Sequence, residues 1–592
     1  MRYDDNKHIK KYKDSVIIKR LLKYARPYIW EFIFAIVLTL LVVAAQLMPA
    51  YLEGEVIGAL ASVELTNQEK LSKVFLLFMV FLGFLLVASV INYFSSMILQ
   101  KAGQKVVLNI REDVFTHIEN LSIAQINKTP VGKLVTRVTS DINAINDLYT
   151  TVIVNLLRYI VTIIAVIVIM IILSPILFLY IMIATPVLVV SYVLFKIFAR
   201  KQYRLVRGCV SNINTFLSEN LSGMKITQIF NQEDKKLNEF KEKNDDYKKK
   251  SVKEVVIMGL FRPFIYCIYV LTQMLILYRG YLLIGAGRLT VTSYVKFYGY
   301  IDLYFNPIQQ IADQFNILQS SFAASERIFE ILDEKPSINY NDGIELDSIE
   351  GKIEFDHVWF RYNENEWILK DVSFTINPKE TVAFVGATGA GKTTILSLIV
   401  RNYEIQKGEI RIDGIDVKKI KIASLRKKIG QMLQDVFLFS GDIRNNITLR
   451  EESITDDEIY EAIKYVNADK LVDRLDGGLD YKVMERGANF SQGERQLLSF
   501  ARTIVHKPNV MILDEATANI DTETEVLIQD SLNKMRNVGT MLIVAHRLST
   551  IKNANKIIVL NKGMIVEMGT HNELLDKHGM YYDLYELQYK NS

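Results

Sequence analysis

The chain has 592 residues, half of them hydrophobic, with a net charge of +4. At roughly 100–200 residues per domain it divides into at least two or three units, and a charge so near neutral over this length argues against a nucleic-acid binder. Its two cysteines, Cys209 and Cys267, make neither a metal spacing nor a disulfide framework, which suits a reducing cytosol.

Long apolar runs crowd the first half of the chain and charge crowds the second. The first run starts after Pro27 and extends to about Leu52, longer than a signal-peptide core and without a small-residue cleavage site, so it reads as a retained span. Lys7, Lys10, Lys11, Lys13, Lys19, Arg20, Lys23 and Arg26 precede it and put the N-terminus on the cytoplasmic side. A bilayer core takes about 20 apolar helical residues. Six runs meet that length: 28–52, 74–99, 148–173, 175–196, 257–284 and 291–312. Six crossings return the C-terminal part to the cytoplasm. The segment after the first run is poor in basic residues and holds Glu53, Glu55, Glu64 and Glu69, which fits an outer loop. Ser174-Pro175 parts the third run from the fourth as a tight outer hairpin.

Residues 100–147 and 197–256 are polar with helical periodicity, as in Val107, Ile110, Val114, Phe115, Ile118 and Leu121. The spacing predicts membrane helices that continue well into the cytosol; a small cytosolic insert domain is the alternative. The sixth run is aromatic, and Phe297, Tyr300 and Tyr304 share one face. That face suits a pocket for apolar or aromatic molecules, and equally helix packing or interfacial anchoring. Asp302 lies near the middle of this run, where an ionisable group is expensive and functional by default. Lys296, six residues away and off its face, is a poor partner. Asp302 is therefore expected to line a substrate cavity and favour cationic substrates.

From residue 351 the pattern changes to short β-rich runs, at 352–358, 380–385, 508–513, 540–545 and 556–560, alternating with helical stretches. Residues 326–350, with Lys335-Pro336 and Asn341-Asp342-Gly343 as turn chemistry, read as a linker. The expected fold is a multidomain membrane protein. A six-helix all-α transmembrane domain over 1–325 precedes an α/β domain with a mainly parallel sheet over 351–592.

The apolar run Val382–Val385 leads into Gly386-Ala387-Thr388-Gly389-Ala390-Gly391-Lys392-Thr393-Thr394, followed by an apolar helix over 395–400. This is the phosphate-binding loop in the strand–loop–helix context it requires. Glycines let the backbone aim N–H groups at phosphate oxygens, and the helix N-terminus adds partial positive charge. Lys392 should reach the β- and γ-phosphates of ATP, and the Thr393 hydroxyl should hold Mg²⁺. A second apolar strand ends in Asp514-Glu515. Asp514 can bind Mg²⁺ through water, and Glu515 can polarise an attacking water as general base.

With these motifs on the chain, the sequence resembles the ATP-binding cassette (ABC) exporters over nearly its whole length. Tyr362 lies where that family stacks an aromatic on adenine. Gln434 matches the Q-loop, which senses Mg²⁺ and contacts the coupling helices. Phe490-Ser491-Gln492-Gly493-Glu494 occupies the signature position, Ala518-Asn519-Ile520-Asp521 the D-loop, and His546 the switch position at the γ-phosphate. The resemblance implies a dimer, because each nucleotide lies between one domain's phosphate loop and the other domain's signature. It also implies coupling tips near Ala124–Thr129 and Glu219–Thr227, the second docking on the partner's ATPase domain.

The usual signature is L-S-G-G-Q; here it is F-S-Q-G-E. Gln492 replaces a glycine that permits close approach, and Glu494 puts a carboxylate at a helix N-terminus that should face an anion. Lys392, Glu515 and His546 are intact. The combination resembles the catalytically intact chain of heterodimeric multidrug exporters, with a homodimer as the alternative. The expected activity is ATP-driven export of amphipathic, drug-like molecules across the cytoplasmic membrane. A lipid or peptide exporter, or an ATP-dependent membrane sensor, are the alternatives.

Overall fold

The computed structural model describes residues 12–62, 65–338, 340, 342–514, 521–544 and 551–589. The chain divides into two compact units. One comprises residues 1–115 and 135–332, the other 116–134 and 333–592.

The first unit is helical. Among the described residues five helices are long and apolar enough to cross a membrane: Asp14–Ala61, Asn67–Glu119, Val131–Leu173, Pro175–Ser222 and Glu233–Gly285. The sixth expected span opens the helix Val291–Leu332, whose Lys296, Asp302, Asn306, Gln309, Gln310 and Asp313 make it less apolar than the others. The helices of 53 residues, Asn67–Glu119 and Glu233–Gly285, run to about 80 Å at 1.5 Å per residue, far beyond a ~30 Å hydrocarbon core. Continuous helical extensions thus replace the insert-domain alternative. Ser174 alone joins two helices, its hydroxyl accepting from the Leu177 N–H (3.4 Å).

Two expectations change here, and one helix carries an unexpected irregularity. Glu53 and Glu55 are not in a loop, because the first helix continues to Ala61; Glu64 lies outside the described residues. Glu55 accepts a hydrogen bond from Lys296 Nζ (2.6 Å), and that ammonium also stands 3.6 Å from the centre of the Tyr51 ring. The boundary expected at 325/326 falls inside the helix Val291–Leu332. The helix Val131–Leu173 is not uniform. It has π-helical turns at Arg137–Asp141 and Leu148–Val152. At the first of these, buried Asp141 accepts from Arg137 Nη1 (2.7 Å) and Arg327 Nε (3.0 Å), so the charge taken out of water is doubly paired.

Among the described residues the second unit holds three sheets. Strands β1 (Ile353–Phe360), β2 (Leu369–Ile376), β4 (Lys407–Ile412) and β5 (Ile415–Asp416) form an antiparallel sheet in the order β2-β1-β4-β5. The central sheet has the order β12-β11-β3-β10-β9-β6. Its strands are β3 (Thr381–Val385), β6 (Ile429–Met432), β9 (Val510–Asp514), β10 (Thr540–Val544), β11 (Lys556–Asn561) and β12 (Met564–Gly569). Every pairing in it is parallel except β11 with β12. Strands β7 (Gly441–Asp442) and β8 (Lys482–Val483) make a small ribbon. Strands β3, β9 and β10 are apolar runs buried on both faces, as parallel strands covered by helices must be. Their register brings Phe384, Val544 and Asp514 level, so the carboxyl ends of three strands open at one edge.

Candidate nucleotide-binding site

The phosphate loop leaves β3 at that edge. Gly386 has φ +150°, and a Cβ there would come within 2.2 Å of the Leu560 carbonyl oxygen. Gly391 has φ +104° and ends the loop at the start of the helix Lys392–Ile399. Only glycine fits both demands, conformation and space. Ala387, Thr388 and Gly389 are exposed at the crest of the loop, and Ala390 is buried beneath it. Lys392 is buried, and its ammonium donates to the carbonyls of Gly386 (2.7 Å) and Ala387 (3.1 Å). Burial holds the lysine below its ordinary pKa, and the nearby Asp514 carboxylate works the other way. Thr393 is exposed at the helix N-terminus, whereas Thr394 is buried.

Tyr362 follows β1, and its hydroxyl shares a hydrogen bond with Thr394 Oγ1 (3.1 Å). Its ring stands edge-on to Tyr403, centroids 5.0 Å apart, and to Phe360 at 4.8 Å. The Tyr403 hydroxyl accepts from Asn127 Nδ2 (3.1 Å). Asn127 ends the short helix Ile123–Ile126, capped by Ser122 with Gln125 in a reciprocal box. Gln125 also donates to the Lys335 carbonyl (3.0 Å). The first expected coupling tip thus packs within the ATPase unit, linked to Tyr362 through Tyr403.

A cleft beside β6 and β9 is lined by Gln434, Asp514, Gln492, Arg495 and Gln496. It gathers the Q-loop glutamine, the strand-end aspartate and the start of the signature helix, which are 80 positions apart in sequence. Ser491 caps the helix Gln492–Val505, accepting from the Glu494 N–H (3.3 Å), while Glu494 accepts from the Ser491 N–H (2.8 Å). Gly493 is buried under this turn. The Glu494 carboxylate also pairs with Arg474. The Glu494 carboxylate stays at the helix N-terminus, folded back onto its own cap with a counter-charge beside it. Asp521 caps the helix Thr522–Met535, and the Thr524 N–H (2.9 Å) holds its carboxyl below the usual range. Glu515, residues 518–520 and His546 lie outside the described residues; in sequence they directly follow β9 and β10.

Comparison with known proteins shows the family of the chain. Residues 32–308 match the model of the ABC transporter transmembrane region, and residues 369–518 match the ABC transporter ATP-binding model. An ABC transporter ATP-binding protein of Streptococcus pneumoniae is 35% identical over 584 residues, 98% of each chain. The chain belongs to the ABC exporters. One chain of the exporter carries one membrane region and one ATP-binding domain, so it is a half-transporter. A Bacillus subtilis relative named “Probable multidrug resistance ABC transporter ATP-binding/permease protein” is 35% identical over 545 residues, 90% of this chain and 81% of its own. An ATP-dependent lipid A-core flippase of Syntrophus aciditrophicus is 33% identical over 576 residues, 97% and 95% of the two chains. A Mycobacterium bovis relative named “Fatty acid ABC transporter ATP-binding/permease protein” is 35% identical over 506 residues, 85% of this chain and 80% of its own. The exporter thus binds ATP and is a multi-pass membrane protein of multidrug, lipid or fatty-acid type.

In the membrane region of the exporter the aromatic face of the sixth run and Asp302 have different surroundings. Phe297, Tyr300 and Tyr304 are buried in one cluster with Val166, Met170 and Ile276. The Tyr300 hydroxyl donates to the Leu47 carbonyl (3.0 Å), and Tyr304 shares a hydrogen bond with Thr185 (3.1 Å). Among the described residues they pack helix against helix. Asp302 is exposed on another face, bonded to the Tyr269 hydroxyl, which in turn accepts from Gln273 (2.5 Å). Sequence reasoning missed Tyr403, Tyr269, Arg474 and the particular role of Asn127 within the expected coupling tip. No motif marks them; each is defined by a partner from 20 to 276 positions away.

Proposed function

We propose that the chain is one half of a dimeric exporter that hydrolyses ATP to move amphipathic molecules out across the cytoplasmic membrane, with both termini in the cytoplasm. The observation that carries this reading is the glycine-shaped phosphate loop with Lys392 buried beneath it, level with the Asp514 end of β9. Lys392 and the loop amides would hold the phosphates, and Tyr362 the adenine. Thr393, Asp514 and Gln434 offer the oxygen donors that suit Mg²⁺, which would neutralise phosphoryl oxygens. Glu515 would polarise the attacking water, and His546 would meet the γ-phosphate.

A second chain is supported by the short helix Met224–Ile229, whose Ile226 and Ile229 are each 64% exposed with Phe230 at 68%. Leu433, Phe437 and Phe439, beside Gln434, are similarly exposed. Apolar residues so displayed suit burial against a partner subunit. Gln492, standing where the family has glycine, favours an unlike partner. Purification of the chain alone in lipid nanodiscs tests it. ATP turnover is expected to be low alone and to rise with the partner. Robust Glu515-dependent turnover without one would establish the homodimer.

For substrate, Asp302 within its Gln273–Tyr269 chain is proposed to face the transport path and favour cationic amphiphiles. Asp302→Asn should reduce export of a cationic dye several-fold while sparing a neutral one. Equal export of both by the variant and wild type would remove this assignment. The kinship to a lipid A-core flippase supports lipid-like cargo as the second reading, read out by flipping of a labelled lipid.

A further inference from the structure

The signature turn contains a charge that its position should not tolerate and a counter-charge that no motif predicts. Glu494 is the third residue of the helix Gln492–Val505. A carboxylate in a first turn normally stabilises a helix by opposing the partial positive charge of its N-terminus. Here the same N-terminus belongs to the face expected to meet phosphate, so an unopposed carboxylate would cancel the charge that attracts the ligand. One carboxylate oxygen accepts from the Ser491 N–H (2.8 Å), and the other pairs with Arg474 Nη2. Arg495, the nearest basic residue in sequence, is engaged elsewhere, donating to the carbonyls of Gly487 (3.4 Å) and Phe490 (2.9 Å). The Glu494 side chain is 18% exposed and that of Arg474 62%, so the guanidinium covers the carboxylate from the solvent side.

We infer that Arg474 is a positioning residue of the composite ATP site. It neutralises Glu494 and locks it in the cap, so that the helix N-terminus and the Ser491 hydroxyl meet the nucleotide held by another chain's phosphate loop. This rests on the reading that the signature acts in trans. Ser491 suits the role: its oxygen lone pair is used by the Glu494 N–H (3.3 Å), which leaves its O–H to donate outward. The pair also explains how F-S-Q-G-E stays compatible with an anion.

The test is a double-mutant cycle on the full-length transporter in lipid nanodiscs, with its partner subunit if one co-purifies, reading KM for ATP separately from kcat. Arg474→Ala should raise KM about three- to tenfold, the size of one partly screened charge interaction, with little change in kcat. Arg474→Lys should recover most of the loss. In the Glu494→Gln background, Arg474→Ala should cost nothing, because no charge remains to neutralise. An unchanged KM for Arg474→Ala, or an equal cost in both backgrounds, overturns the inference while a Ser491→Ala defect preserves the trans reading. A Ser491→Ala transporter with wild-type KM and kcat overturns both.

Discussion

Lys392 shows how burial and function meet at one atom. Its ammonium is held below its ordinary pKa by desolvation and is satisfied by two carbonyls of its own loop. The cradle fits a compact three-donor cation. A planar guanidinium does not fit that space, so Lys392→Arg is expected to lose ATP turnover nearly as fully as Lys392→Ala, by roughly a hundredfold or more in a phosphate-release assay. Tyr362 separates two contributions. Tyr362→Phe removes only the bond to Thr394 and should weaken ATP by about 1 kcal/mol or less. Tyr362→Ala also removes the stacking face and should cost about 1–3 kcal/mol in titrations with a fluorescent ATP analogue.

Two elements carry contacts that local sequence could not announce. The short helix Ile123–Ile126 reaches the nucleotide side through Asn127, Tyr403 and Tyr362. Tyr403→Ala should therefore loosen transport from hydrolysis: dye export in inside-out vesicles falls several-fold while ATP turnover changes by less than about threefold. Equal loss of both would mean that Tyr403 serves only the ATP site. The π-helical turn Arg137–Asp141 is the second case. Its buried Asp141 depends on Arg327 from the helix Val291–Leu332. Breaking one partner of a buried charge network costs about 3–5 kcal/mol. Arg327→Ala should lower the unfolding temperature of the membrane region markedly, and Asp141→Asn in the same chain should restore part of it.

For the whole molecule, acid is expected to loosen the ATPase unit before it affects chemistry. Burial holds His506 and His571 below the usual imidazole pKa, the first with Arg502 and Lys427 adding to the effect. The unfolded chain then binds more protons than the folded one, so stability rises with pH and is lost as pH falls through about 6.5. Thermal unfolding of the full chain should occur at lower temperature at pH 5.5 than at pH 7.5. His571→Gln should flatten that dependence; an unaltered slope would assign it to His506, whose burial acts in the same pH window, whereas the depressed carboxyl of Asp521 contributes only at more acid pH.

The phosphate loop, the order of the catalytic motifs and the long helices were legible in the sequence because each is local. A strand, a glycine-rich turn and a helix start are neighbours along the chain, and an apolar run of sufficient length forms a span by itself. Phe297, Tyr300 and Tyr304 were rightly put on one face, since helical periodicity is also local. What that face meets was not legible, and it meets the cluster of Val166, Met170 and Ile276. Asp302 lies two residues from both Tyr300 and Tyr304, about 200° around the helix, so it left the cluster and found Tyr269.

The half-transporter identity was therefore determined by sequence alone: six apolar runs, then one set of ATPase motifs in a fixed order. Only the tertiary structure decided what the charge in the signature turn is paired with. Alone, Glu494 reads as a defect, because a carboxylate at a phosphate-facing helix end is unfavourable. In the fold Arg474 pairs with it, a pair inferred to neutralise the turn. Electrostatic energy depends on distance through space, and the guanidinium that settles this site comes from 20 residues upstream along the chain.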